Sequence, residues 1–430
     1  MSAALLDRLR DEYGALHDTL PQGVIERGRR RAAIETLCAQ GLPATREENW
    51  RYANLRVLER ARFAPCAAPA SLPDLPAPLP GFSRYVFIDG VLHAAPTDAP
   101  HAGISVRSLR SGDADAAADV PPVSALPEAR LALLNEAFAT DGAAIRVQAH
   151  TEASRIELVF VASTAGQAGA SYPRAQVALA AGARLTLVER HLSAGDEASF
   201  INSAVRVDLD ESAHLAHYRL QQTGTRAAWF DTLEATLAKD AHYRLLCVSA
   251  GALAARSTVH IGLRGMAAQV SLSAAALGER LQSQDTYVLT DHLAPRTRTE
   301  QTFRGIASGR ARVAFNGKIV VHEGARGADS RQSLRGLLAG PEAFFNDTAT
   351  TEIYTDEVRC SHGATAGKLD ENMLFYLLSR GLPPEAAQRL LKWAFLEDVV
   401  SRIELAELRR RIEHELAGQM SEVAPLEEML

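Results

Sequence analysis

Ala183-Arg184-Leu185-Thr186-Leu187, Ala213-His214-Leu215-Ala216-His217, Ala241-His242-Tyr243-Arg244-Leu245 and Ala268-Gln269-Val270-Ser271-Leu272 share one form, an alanine followed by a short alternating run. Counted from 183 to 213, 241 and 268, they start 30, 28 and 27 residues apart. Short strands that recur at a period of about 20 to 50 residues mark a solenoid, in which each coil buries its face against the next. A sandwich would need a turn roughly every 8 to 12 residues, and such turns are not clearly present. A parallel β-helix is therefore preferred to a sandwich. The surrounding sequence, from about Ala143 to Tyr354, has the same character: short alternating runs broken by Gly, Ala, Ser and Asp.

Outside this region the period changes. Leu5, Leu9, Tyr13, Leu16 and Leu20 fall at helical spacing, and the segment stops at Gly41-Leu42-Pro43, so residues 3–40 read as a helical hairpin. The prolines between Pro65 and Pro80 cannot propagate a helix or a central strand, which makes this stretch an extended linker. One short strand, Arg84 to Gly90, follows it. A loose stretch from about 109 to 127 then precedes a helix near Ala129 to Phe138. Beyond His362, Asp370 is placed to cap a helix that ends at Gly381, and Pro383-Pro384 opens a second helix. In that second helix Leu391, Phe395 and Val399 recur every fourth residue, and Leu405, Leu408, Ile412 and Leu416 continue the stripe. Such a stripe is either core or a partner-docking face; a small helical unit has little core of its own to cover it. The expected organisation is an N-terminal helical unit (1–64), a Pro/Ala-rich linker region with a short strand (65–128), a mainly β core (129–362) and a C-terminal helical unit (363–430).

A chain of 430 residues can bury a substantial core without disulfide staples. Cys38, Cys66, Cys247 and Cys360 show no Cys-x-x-Cys spacing, which disfavours a disulfide framework and a self-contained metal cluster site. A reducing cytoplasm is the expected compartment. No signal-peptide pattern or membrane-length apolar run occurs, so no membrane association is expected. A net charge of −6 with interspersed signs leaves no nucleic-acid footprint, and the cluster Arg27-Gly28-Arg29-Arg30-Arg31 reads as a solvated helix face.

Cys360-Ser361-His362 is the place where the sequence points at chemistry. In a strand the two side chains project to one face, and thiolate with imidazole suits zinc, copper or iron–sulfur ligation. Two ligands do not close a site, and the competing reading is a buried inert cysteine beside a hydrogen-bonded histidine. No phosphate-binding loop occurs: Gly317-Lys318 and Gly367-Lys368 both lack the upstream glycine and the following hydroxyl residue, so ATP hydrolysis by this chain is not expected. No Gly-x-Ser-x-Gly elbow or His-Glu-x-x-His helix is present, and no catalytic residue is assigned. Asp285, Asp291 and His292 would suggest a carbohydrate-active β-helix enzyme, but carboxylates and histidines in solenoid turns are usually solvated or cap turns.

Asp291-His292, Phe303-Arg304-Gly305, Gly309-Arg310-Ala311-Arg312, Phe315 to Val321 and Asp329 to Ser333, followed by Glu352 to Thr365, Leu369-Asp370-Glu371 and Leu374 to Gly381, resemble in order the SufB/SufD family of iron–sulfur cluster assembly proteins. Weaker echoes at Glu48 to Tyr52, Val86 to Gly90 and Asn135 to Gly142 extend the resemblance over most of the chain. Gly363, where the SufB branch carries Glu, and the lack of that branch's cysteine-rich segment align the chain with the SufD branch. The resemblance implies a right-handed parallel β-helix flanked by N- and C-terminal helical units. It implies pairing with a SufB-like paralogue through the β-helices, with homodimers as an alternative, and docking of the ABC-type ATPase SufC on the C-terminal helices at Leu391, Phe395 and Val399. It makes His362, with Cys360 beside it, a ligand or relay for iron or a transient iron–sulfur cluster at that interface, and it implies that reduced flavin joins the complex. A SufB-like subunit acting as a homodimer is the alternative within the family. The sequence departs from the family pattern at Phe344 to Ile353, and the decapeptide Asn346 to Thr355 equals the translation of a common sequencing-library adapter. Resequencing the gene across these codons decides whether the stretch is native.

Overall fold

In a computed structural model the chain is described over residues 3–66, 74–96, 102–111, 127–152, 154–163 and 169–420. The four alanines that open the repeated segments are fully buried at the corners of a coil. Each follows a residue in the left-handed region: Gly182, Ser212, Asp240 and Ala267, with φ of 69°, 57°, 54° and 60°. That corner turns the chain sharply inward, and only a small side chain fits inside it. The coils are stitched together there: the N–H groups of His214, His242 and Gln269 donate to the carbonyls of Ala183, Ala213 and Ala241 at 2.8, 2.8 and 2.9 Å. The same corner recurs at Thr297 and Ala328, beyond the four units legible in sequence, with Arg298 N donating to Ala268 O and Asp329 N to Thr297 O at 3.0 Å.

The result is a parallel β-solenoid of about seven turns with helices at both ends of the chain. From Arg184–Ser193 onward, successive strands alternate between two ten-stranded sheets, so each pairs with the next but one in sequence. Parallel pairing is in register through the body, and identical positions stack into columns, as in Leu185, Leu215, Tyr243 and Val270. Inward columns from the two sheets meet in one continuous apolar core. A fully buried side chain of this kind contributes roughly 1.5–3 kcal/mol. The first sheet begins earlier than the linker reading anticipates, because Ser83–Ile88 pairs in parallel with Ser154–Ala162. The last strand, Arg359–Lys368, also runs beyond 362, and helix begins only at Glu371.

Helical units cover the outer face of each sheet. Ala3–Leu16, Arg27–Gln40 and Ala132–Phe138, with Trp50 and Phe63, pack on Phe200 and Phe230 of the second sheet. Arg30, expected on a solvated face, is instead buried here. It donates to the carbonyls of Ile25, Pro21, Ala137 and Ala139 at 2.8–3.0 Å, tying the second helix to the third. Pro384–Val400 and Ala406–Gln419 lie across the first sheet, burying Leu396, Val399, Val400, Leu408, Ile412 and Leu416 against residues such as Leu220, Leu246 and Leu277. Polar contacts rim this seam: Arg304 Nε to Asp398 at 2.7 Å, Arg190 to Glu415 at 3.0 Å and Arg244 Nη2 to Glu404 at 2.8 Å.

The C-terminal end of the solenoid is uncapped among the described residues: Phe344–Ile353 and Arg359–Lys368 each terminate their sheet. Asp347, in the stretch that departs from the family pattern, occupies the inward column of Phe315. One of its buried carboxylate oxygens has no hydrogen-bond partner among the described residues.

Candidate functional site

Cys360 and His362 both lie on this final strand, paired with Ser330 and Gln332 of the strand before it. Ser330 and Gln332 are buried in the lumen, and paired residues of parallel strands share a face, so Cys360 and His362 also point inward. Cys360 is half-buried against Ile319, Val321, Ala325 and Ala328, whereas His362, with no coil beyond it, is exposed at the mouth. Their Cα atoms are about 6.6 Å apart along the strand, close enough for a thiolate and an imidazole to meet on one ion. No group of three or more His, Cys, Asp or Glu side chains arranged to hold a metal occurs among the described residues. Two donors on a terminal strand are half of the set that a four-coordinate ion requires.

The other cysteines offer no such chemistry where burial decides it. Cys247 sits in the lumen and Cys66 beneath the N-terminal unit, and burial pushes each thiol up to about 12, so both stay protonated at neutral pH. Asp285, Asp291 and His292 do not converge on a groove. Asp285 is buried in an ion pair with Arg256, which stacks over Trp50 at 4.6 Å. Asp291 is bridged by His260 and His322 at 2.7 and 2.8 Å. His292 is enclosed between the hydroxyls of Thr297 and Thr299, at 2.7 and 2.9 Å, and burial pulls its imidazole down to about 4.

The docking stripe is largely consumed by the fold. Val399 is fully buried against the first sheet, Phe395 packs on the same cluster, and Leu391 is half-buried. Val399 is therefore a core residue rather than a free docking contact. The apolar surface lies one helix earlier, on Glu371–Ser379, which has no buried residue. Phe375, Met373 and Tyr376 are 71%, 57% and 55% exposed, directly after the strand that carries the half-site. The sequence signal was available: Met373-Leu374-Phe375-Tyr376-Leu377-Leu378 is apolar on every side, so no single fold face can cover it.

A charged cluster inside the solenoid was not anticipated. Arg219 donates to Glu189 at 2.6 and 3.1 Å and to Asp231 at 2.7 and 2.8 Å, and His191 and His217 also contact Glu189, at 2.6 and 3.1 Å. Burial pushes the Glu189 carboxyl up, but Arg219 and the two histidines outweigh it and hold the group well below the usual carboxylate range. A cavity of about 40 Å³ adjoins it, lined by His191, Arg219, Trp229 and Cys247. Its only sequence signal is charge at inward positions of predicted strands.

A parallel β-solenoid flanked by helical units is the class of protein that the fold defines. Residues 160–395 match the family described as SUF system FeS cluster assembly, SufBD core domain, and the chain belongs to the SufB/SufD family. It is 27% identical over 390 residues to the iron–sulfur cluster assembly protein SufD of Escherichia coli, covering 88% of this chain and 89% of that protein. A SufBD family protein of Synechocystis is 28% identical over 404 residues, covering 89% of each chain. One of Mycobacterium tuberculosis is 24% identical over 390 residues, covering 87% of this chain and 89% of that one. Among the described residues no helix is long and apolar enough to cross a membrane.

Proposed function

We propose that this chain is a SufD-type, non-ATPase scaffold subunit that supports iron–sulfur cluster assembly in the cytoplasm together with a SufB-like paralogue and the ATPase SufC. The observation that carries the reading is the Cys360 and His362 half-site on an open sheet edge, in the strand that leads into an exposed apolar helix. An open edge offers backbone donors and acceptors to a partner strand, and a SufB-like chain seated there would supply the missing ligands. Iron and the nascent cluster are cargo at this interface. The reduced flavin implied by the resemblance is assigned to the complex and not to residues of this chain. Support for the SufD branch comes from Gly363 and from the extent of similarity to the Escherichia coli protein.

SufC would dock on the C-terminal helices, with Phe375 and Tyr376 as the exposed contacts. ATP-driven closure of SufC would then pull on helices whose other face is bonded to the solenoid, shearing the interface and exposing His362 and Cys360. Binding energy at one site would thereby bias the other. The deciding experiment mixes the purified chain with and without a SufB-like partner and SufC and measures bound iron, sulfide and the visible absorption of a cluster. A cluster formed only in the mixture and lost with His362→Ala is expected. A cluster carried by the chain alone would favour the SufB-like homodimer, and an unchanged His362→Ala complex would remove the ligand role.

A further inference from the structure

The inward column that ends at His362 changes character along the solenoid. It reads Leu187, His217, Leu245, Leu272, Gln301, Gln332 and His362, one residue per coil of the first sheet. The amides of Gln301 and Gln332, the two members before His362, form a ladder with one direction. Gln301 Nε2 donates to the Thr290 hydroxyl at 3.1 Å, and Gln332 Nε2 donates to Gln301 Oε1 at 2.9 Å. Gln332 Nε2 also donates to the carbonyl of Gly317 at 3.2 Å. Two acceptors on Nε2 fix which end of the Gln332 amide is nitrogen, since the flipped amide would set oxygen against oxygen at both contacts. Gly317 must lack a side chain for this, because a Cβ there would stand 2.6 Å from Gln332 Nε2.

The ladder therefore runs out at Gln332 Oε1. That oxygen is buried and has no hydrogen-bond partner among the described residues, in a side chain only 5% exposed. A buried carbonyl oxygen without a donor costs on the order of the desolvation of a polar group, so the site calls for an N–H. The next position in the column, on a strand about 4.8 Å away, is His362, whose imidazole always has at least one.

We propose that Gln332 is a positioning residue for His362: its Oε1 accepts one ring N–H, which fixes the tautomer and leaves the other ring nitrogen bare at the mouth of the solenoid for an iron-bearing ligand. A bare nitrogen is what a metal ion requires, and the tautomer of a ligating histidine is set by the hydrogen bond on its other nitrogen. The inference deepens the proposed ligand role of His362 and is testable apart from it.

The test uses the full chain labelled with nitrogen-15 histidine, at alkaline pH where the ring is neutral, with the His362 signals identified by their absence in His362→Ala. The wild type should show one protonated and one bare ring nitrogen. Gln332→Leu should move both shifts toward the averaged values of a free imidazole, and Gln301→Leu, one coil deeper, should leave them unchanged. Circular dichroism checks that each variant is folded. Ring shifts that are unchanged in Gln332→Leu, or averaged equally in Gln332→Leu and Gln301→Leu, overturn the positioning role. In the mixture with a SufB-like partner, Gln332→Leu should lower retained iron about tenfold, the scale of ligand-orienting contacts. If the tautomer responds while His362→Ala leaves assembly intact, the ligand reading fails and the positioning contact stands.

Discussion

Exposure separates residues that act at the solenoid mouth from those that hold it together. His362→Ala removes an exposed side chain together with the donor proposed for Gln332 Oε1, so its expected cost in stability is about 1 kcal/mol, read by urea unfolding, while cluster assembly falls. Arg219→Met does the reverse: it leaves Glu189 and Asp231 buried without their cation, which should cost roughly 3–5 kcal/mol. His292 sets a pH dependence whose sign follows from its burial. The unfolded chain takes up this proton near pH 6.5, whereas the folded chain does so only near 4. The unfolded state therefore binds more protons in between, and stability falls as pH drops through that window by roughly 3 kcal/mol. His292→Gln should flatten that part of a urea midpoint against pH profile. Glu189 adds loss at lower pH still, because its depressed carboxyl must be protonated in the folded state before its contribution disappears.

At the scale of the element, the corner alanine is the unit that makes a coil. Its side chain points into a space closed by the coils above and below, and its carbonyl holds the next coil's first strand N–H. Ala241→Leu should overpack that corner and cost about 1–3 kcal/mol, measured by thermal or urea unfolding, while Ala216→Leu in the same strand family should cost less because Ala216 is not fully buried. The helix Glu371–Ser379 carries the contrasting prediction. Asp370 caps it, accepting from Asn372 N at 2.8 Å and Met373 N at 3.0 Å, so it is held locally without a buried face. Phe375→Glu should leave the melting temperature unchanged and abolish SufC binding in a pull-down or by calorimetry; undiminished binding would remove this helix from the docking surface.

For the whole molecule, the two helices Pro384–Val400 and Ala406–Gln419 are part of the fold as much as any strand, because they cover the outer apolar face of the first sheet. Val399→Asp should accordingly unfold the chain or lower its stability by several kcal/mol, seen as loss of a cooperative transition and not as selective loss of a partner. The open end is different. Its two terminal strands keep one edge each without a strand neighbour among the described residues, and burying that edge is what a partner β-helix can do. Cys360 and His362 lie on the last strand, and the exposed helix Glu371–Ser379 follows that strand directly in the chain.

The sequence by itself determined the solenoid, since a small residue at each corner and alternation within each strand repeat at a spacing that no sandwich needs. It also located the Cys360 and His362 pair and put both on one face, because strand geometry fixes i and i+2 together. It could not show which inward positions tolerate charge: Glu189, Arg219 and Asp231 come from three different strands, and only the in-register stacking of coils brings them into contact. Nor could periodicity tell a core stripe from a docking stripe at Leu391, Phe395 and Val399, because both are apolar every fourth residue. What covers a stripe is decided by the neighbour that tertiary folding supplies, here the outer face of the first sheet, and the same folding left His362 at the end of its column with a buried acceptor behind it.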